Sequence, residues 1–209
     1  MSRILFVIFA MTCLSSYGYQ RQQKMDSLKY QIREAQNDST KVYAIIRLSQ
    51  SYSSYDLKSS IIEAEKALDI ANENKSKNLM AFAMFNAGNA YFNQGMFETA
   101  TNYYYSYLEI QKEKNNITGV AYALVNIGAI RLKMNDFIGA KQNFLKALHI
   151  LENEVNADYS NQVPNILNNL GIAYQKLHQN DSALYYYKKG LSQISFVDDK
   201  DFFKAGVFN

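Results

Sequence analysis

The chain has 209 residues, 48% hydrophobic and 20% charged, with one proline and nine glycines. That composition excludes a disordered or fibrous chain and favours a helical globular one. Its 22 basic and 19 acidic residues give a formal charge of +3 and are spread along the chain, so the basic stripe that a nucleic-acid partner needs is absent from this segment.

Residues 1–18 read as a signal peptide: Arg3, an apolar run from Ile4 to Leu14, then Ser16 and Gly18 around Tyr17, with cleavage expected after Gly18. The run is too short for an ordinary membrane helix. Cys13, the single cysteine, would be a lipid-attachment site if Gly, Ala or Ser preceded it. The preceding residue is Thr12, so Cys13 is read as part of the apolar run and the mature chain is expected to have no thiol chemistry. No later stretch reaches 18 consecutive apolar residues. The mature chain is therefore expected to have no membrane span and to be exported, periplasmic or extracellular. Residues 19–40 read as an N-terminal helix and connector.

Beyond them one outline recurs. "NAGNAYFNQG" from Asn86, "NIGAIRLKMN" from Asn126 and "NLGIAYQKLHQN" from Asn169 place Gly88, Gly128 and Gly171 in register at spacings of 40 and 43 residues, among the periods of stacked helical repeats. A second helical segment follows each glycine, marked by Ala100, Tyr104 and Tyr107, by Ala140, Phe144 and Ala147, and by Ala183, Tyr187 and Gly190. Intervals of four and three put each trio on one helix face. Glycine inside a helix costs about 1 kcal/mol relative to alanine. The three repeat glycines are therefore expected to let two antiparallel helices approach closely, each facing the alanine of its partner helix. Bulk comes from Met84, Leu124 and Leu167 before the glycines and from Tyr91 and Tyr174 after them. Gly95, Asn135 and His178 share one position past the first helix, and all three tolerate positive φ. That makes His178 a helix-ending residue rather than a ligand or base.

These residues resemble the tetratricopeptide repeat (TPR) family, whose units pair Leu-Gly and Tyr on one helix with Ala, Phe and Ala on the next. The resemblance covers about residues 41–195. It implies an all-α fold, a right-handed α-solenoid of antiparallel helix pairs, with a degenerate repeat at 41–76 and repeats at 77–114, 115–154 and 155–197. The degenerate unit carries Leu48, Ser49 and Tyr52, then Ala64, Ala67 and Leu68, across a turn about one residue shorter. The family's proline near the end of the second helix is absent, Lys112, Glu152 and Ser195 standing in its places, so the second helices are expected to run one or two turns longer. In the second full unit Arg131 replaces the expected tyrosine. Residues 198–209, with "DFFKAGVFN", read as the start of a further repeat cut before its glycine. Asn209 falls where Asn169 predicts the next repeat asparagine, so the array is expected to continue.

No catalytic set assembles. His149 lies near Glu152 and Glu154 but has no third ligand or nucleophile at matching spacing. Asp198, Asp199 and Asp201 lack the glycine and glutamate of a calcium loop. Tyr104 and Tyr187 fall at the core position of Phe144, and Tyr103 and Tyr186 are expected to pack on the adjoining repeat. No metal, cofactor or enzymatic activity is expected.

What the resemblance implies instead is a concave face lined by the first helices. It would be formed by Phe82, Phe85, Asn89, Phe92 and Asn93, then Tyr122, Val125, Ala129, Leu132 and Lys133, then Asn165, Asn168, Ile172, Gln175 and Lys176. Relatives that clamp a peptide's terminal carboxylate use Lys and Arg near the first repeats, where this chain has Phe85 and Val125. The expected ligand is therefore a protein or peptide held by apolar pockets and amide hydrogen bonds. With its export signal and degenerate unit, the array resembles the extracytoplasmic sensor regions of bacterial two-component kinases and transcription regulators. A stand-alone secreted or periplasmic scaffold is the alternative.

Overall fold

The structure, a computed structural model, describes residues 19–153 and 162–194. Residues 1–18, which read in the sequence as a signal peptide, Glu154, and the aspartates and phenylalanines of the tail lie outside the described residues. Every described element is helical: α1 (residues 19–33), α2 (Asp38–Tyr52), α3 (Leu57–Asn74), α4 (Lys77–Asn93), α5 (Phe97–Glu113), α6 (Ile117–Lys133), α7 (Phe137–Asn153), α8 (Val163–Lys176) and α9 (Asn180–Ile194). Residues 1–95 and 96–209 form two compact units. In the first, α2 packs on α3, and α4 on both. In the second, each helix from α5 to α9 packs on the next, and α6 also touches α8.

Local chemistry sets the ends of these helices. Asn37, Asp56 and Asn116 accept from the backbone N–H three residues on, at 2.9, 3.1 and 3.1 Å, capping α2, α3 and α6. Asp136 does the same for Gly139 at the start of α7, at 2.9 Å. At the opposite ends, Gly95, Asn135 and His178 have φ of 80, 62 and 58°, as their shared register predicts. Around Asn135 the N–H groups of Asn135 and Asp136 return to the carbonyls of Leu132 and Arg131, and around His178 those of His178 and Gln179 return to Gln175 and Tyr174. This is the paired-bond helix stop built on a left-handed residue. Lys75 and Asn115 adopt the same conformation between successive pairs, at φ 60 and 52°.

The helices of a pair run antiparallel, since Asn74 at the end of α3 donates to Asp38 at the start of α2, at 2.9 Å. What lies against the repeat glycine differs from expectation. A Cβ on Gly128 would stand 2.7 Å from Phe144 Cε1, and one on Gly171 would run into the Tyr187 ring. The glycine thus faces the aromatic residue of the partner helix rather than the alanine, because a flat ring fills the space above a bare backbone more completely than a methyl does. Phe144, Ala140 and Ala147 are fully buried, joined by Leu148, Leu151, Ile166, Leu167 and Leu170 in one apolar cluster. In the degenerate pair, Ser49 takes the glycine position and donates to the Ser60 carbonyl at 2.7 Å, 11 residues away. The corresponding alanine follows Gly128 by 12 residues, so the register is one residue shorter here, but the turn is not: residues 53–56 join α2 to α3, against 134–136 between α6 and α7, because α2 stops earlier in the register. Ala64 stands there in place of the ring.

The long period is not carried by the second helices alone. Both α4 and α5, and both α6 and α7, have 17 residues. An antiparallel pair must lengthen both members together, or the longer one leaves an apolar overhang.

Gly128→Ala gains about 1 kcal/mol of helix propensity but drives a methyl into the Phe144 ring, at about 1–3 kcal/mol of overpacking. The variant is expected to unfold at lower urea concentration than the parent. A double-mutant cycle with Phe144→Leu should show partial rescue, since the clash is with that ring.

Candidate functional site

The residues expected to bind lie on α4 in the first unit and on α6 and α8 in the second. On α4, Phe82, Phe85, Asn89 and Phe92 are half-buried and Asn93 is exposed. Phe82 packs on Tyr43 of α2, ring centroids 4.6 Å apart and planes at 41°. Tyr43 was not among the residues expected here. Its signal is register, because it precedes Ser49 by the same six residues that separate Phe82 from Gly88. Tyr43 also borders a cavity of about 440 Å³ between α1 and α2, together with Tyr30, Glu34 and Arg47. Arg47 holds the register position of the repeat asparagines and brings an exposed cation to a face that the full repeats leave nearly uncharged.

The repeat asparagine explains how adjacent first helices are tied. Asn86 and Asn126 each donate Nδ2 to the carbonyl one turn back, Phe82 at 2.8 Å and Tyr122 at 2.9 Å. With its amide so oriented, Asn86 turns Oδ1 toward α2 and accepts from Gln50 Nε2 at 2.7 Å. The pair fixes the register of α2 against α4 and leaves no buried side-chain polar atom unsatisfied among the described residues.

In the second unit Tyr122, Leu132, Asn168 and Ile172 are half-buried, and Asn165 and Gln175 are exposed. Val125 departs from expectation. It is only 6% exposed and belongs to the cluster with Ile166, Leu167 and Leu170, so it serves the packing of α6 on α8 and offers little to a ligand. Gln175 accepts from the Tyr187 hydroxyl at 3.1 Å, which draws its carbonyl toward α9. Asn165 accepts from Asn169 Nδ2 at 3.4 Å. Ala129 is half-buried, and Lys133 and Lys176 are exposed.

Tyr104 and Tyr187 are buried with Phe144, as their register predicts. Tyr186 instead stacks on Tyr174 of its own pair, centroids 5.1 Å apart and planes at 13°, and Lys141 of the preceding α7 lies over the Tyr174 ring at 5.1 Å. Burial, with the neighbouring Tyr122 second, pushes the Tyr107 hydroxyl up to about 12. Burial and then Tyr174 do the same for Tyr186. Both phenols stay protonated at neutral pH, available as donors and not as bases or nucleophiles. His149 meets Asn153 one turn on, and His178 is exposed in its turn. Among the described residues, no group of three or more His, Cys, Asp or Glu could hold a metal, and no helix is long and apolar enough to cross a membrane.

Helix pairs closed by a glycine under a ring, repeating about every 40 residues with surface left on the first helices, define a tetratricopeptide-repeat protein, an architecture of protein-interaction scaffolds. A tetratricopeptide-repeat family matches residues 119–193. The SusR N-terminal TPR domain family matches residues 13–117, half of the chain, and the chain belongs to it. No curated protein matches the sequence. Among solved structures, BtubC from P. vanneervenii aligns at 19% identity over 86% of this chain and 75% of its own, TM-score 0.74. A Rap protein complexed with Competence and Sporulation Factor aligns at 18% identity over 91% of this chain, TM-score 0.77. Bacillus thuringiensis PlcR, in complex with the peptide PapR7 and DNA, aligns at 12% identity over 91% of this chain, TM-score 0.76. The chain spans 54% of the Rap protein and 69% of PlcR. At these identities the likeness is one of fold.

Asn86→Ala removes the acceptor opposite Gln50 and should cost about 0.5–1.5 kcal/mol, since the exposed Gln50 amide can turn to water. Chemical denaturation of the two single variants and of the double variant with Gln50→Ala should give a double cost smaller than the sum, because both act on one bond.

Proposed function

We propose that the chain is a non-enzymatic, peptide- or protein-binding scaffold that serves as the sensory input part of an exported bacterial signal-transduction protein. The observation that carries this reading is membership of a family defined on the N-terminal TPR domain of SusR, together with a first-helix face whose half-buried aromatics and amides have no role in any catalytic set. The complexes of the Rap protein and PlcR are consistent with this fold presenting such a face to a ligand. The arrangement of residues 1–18 as an export signal supports a periplasmic or extracellular location, where a sensor would meet its ligand.

On α4 the ligand would lie along Phe85 and Phe92, with the side-chain amides of Asn89 and Asn93 positioned to meet its backbone groups. On α6 and α8, Tyr122, Leu132, Asn168 and Ile172 would do the same. Amide and apolar contacts without a dense charge favour an uncharged, extended or helical peptide segment.

Peptides selected from a displayed library against the full chain should bind it, and the Phe85→Ala/Phe92→Ala variant should bind them about tenfold or more weakly with its helical circular dichroism retained. Equal binding by parent and variant rejects the face. Fusing residues 1–40 to alkaline phosphatase tests export: activity in a bacterial host is expected, and its loss on Ile8→Asp assigns it to the apolar run. A cytoplasmic, inactive fusion rejects the sensor location.

A further inference from the structure

The residue three positions after the repeat glycine fills the space between its own helix and the second helix of the preceding pair. Tyr91 does so between α3 and α4, where it is buried and donates its hydroxyl to Glu65 of α3. Tyr174 does so between α7 and α8, under Lys141. The same position on α6 is Arg131, whose guanidinium turns away toward the start of α7. Its Nε lies 3.7 Å from Asp136 Oδ2 and its Nη1 donates to Asn143 Oδ1 at 3.5 Å. The space between α5 and α6 is left as a cavity of about 430 Å³, within the roughly 300–1,000 Å³ of small-ligand pockets. The buried Ile127 and Ile130 form its floor, and Thr101, Tyr105 and Met134 its walls. Tyr105 and Met134 are 42% and 59% exposed, large apolar surfaces held open beside it. Glu98 and Asp136 stand with Arg131 at the rim, which is net acidic.

We infer that this cavity is a second binding site, separate from the first-helix face, that takes one aromatic side chain of a partner peptide with basic residues on either side. The fold itself supplies the argument for the occupant, since at two equivalent interfaces the same space holds a tyrosine ring. The rim supplies the argument for its neighbours. Seen down α6 at about 100° per residue, Ile127, Ile130 and Met134 are centred about 110° round the helix from Tyr122, Ala129 and Lys133. A side chain in the cavity therefore sits beside that stripe rather than on it.

The test uses the full chain and two fluorescein-labelled peptides, Gly-Lys-Phe-Lys-Gly and Gly-Lys-Ala-Lys-Gly, in fluorescence anisotropy. The phenylalanine peptide should bind about tenfold or more tightly than the alanine peptide, the ratio that burial of one aromatic side chain sets. Arg131→Tyr restores the repeat residue. It should erase the preference with the thermal midpoint unchanged or raised, since the ring fills a void. Met134→Lys changes only an exposed side chain and should weaken both peptides by charge. Equal binding of the two peptides by the parent overturns the inference, as does an undiminished preference in Arg131→Tyr or an undiminished affinity for both peptides in Met134→Lys. Phe85→Ala/Phe92→Ala should leave the preference intact. Its loss there would move the peptide onto the α4 face and overturn the edge site while supporting that face.

Discussion

An aromatic ring packed against a bare backbone sets the distance between the two helices of a repeat pair, and the rest of the structure follows from that distance. Gly128 under Phe144 and Gly171 under Tyr187 bring the helix axes close enough that only small residues fit at the neighbouring contacts. This is why Ala140 and Ala147 are fully buried beside the ring and why the apolar cluster can extend to Leu167 and Leu170 on the next first helix. The degenerate pair reaches the same closeness by other means. Ser49 and Ser60 replace glycine and alanine, and their hydrogen bond satisfies the hydroxyl that burial would otherwise strand. Without a ring, Ala64 lets the helices stay close.

How much of this could be read from the chain depended on whether a residue's role is local. Gly95, Asn135 and His178 announce themselves, since a left-handed residue at a helix end is a matter of its own backbone and side chain. The repeat glycines announce a close contact for the same reason. Identifying what sits opposite required the axial offset of the second helix against the first, which spacing along either helix alone does not fix. The ring and the alanine lie on the same face one turn apart. Val125 shows the limit more plainly. Its position on the stripe matches Phe85, but the approach of α8 covers it, and that approach depends on α7 in between. Gln175 is similar: its position was legible, and its bond to Tyr187 was not.

The candidate face was legible as a set of register positions because solenoid geometry repeats them. Tyr43 and Arg47 escaped since the degenerate unit lacks the glycine by which the register is counted. Once Ser49 is placed at the glycine position, both fall on the same stripe as Phe82 and Asn86. The Gln50–Asn86 bond then shows that the degenerate unit is structurally part of the series rather than a mere leader. This part-buried amide pair favours one register of α2 on α4, because a slip would leave the buried Asn86 acceptor unsatisfied.

Repetition also explains where a TPR chain can acquire specificity without harming its fold. A position that meets only its two neighbouring helices can change in one unit while the others keep the original residue, because each interface is stabilised by its own contacts. The replacement at Arg131 has this character. It gives up the filling ring seen at Tyr91 and Tyr174, and keeps a fixed geometry through Asp136 and Asn143, so the void is bordered by ordered groups instead of a collapsed core. Here Ile127 and Ile130 remain packed in the α6 interior, and Met134 and Tyr105 stay exposed beside the opening. The same Gly-plus-ring contact that makes the units alike thus makes their departures meaningful, since it holds the pair rigid while one edge position varies.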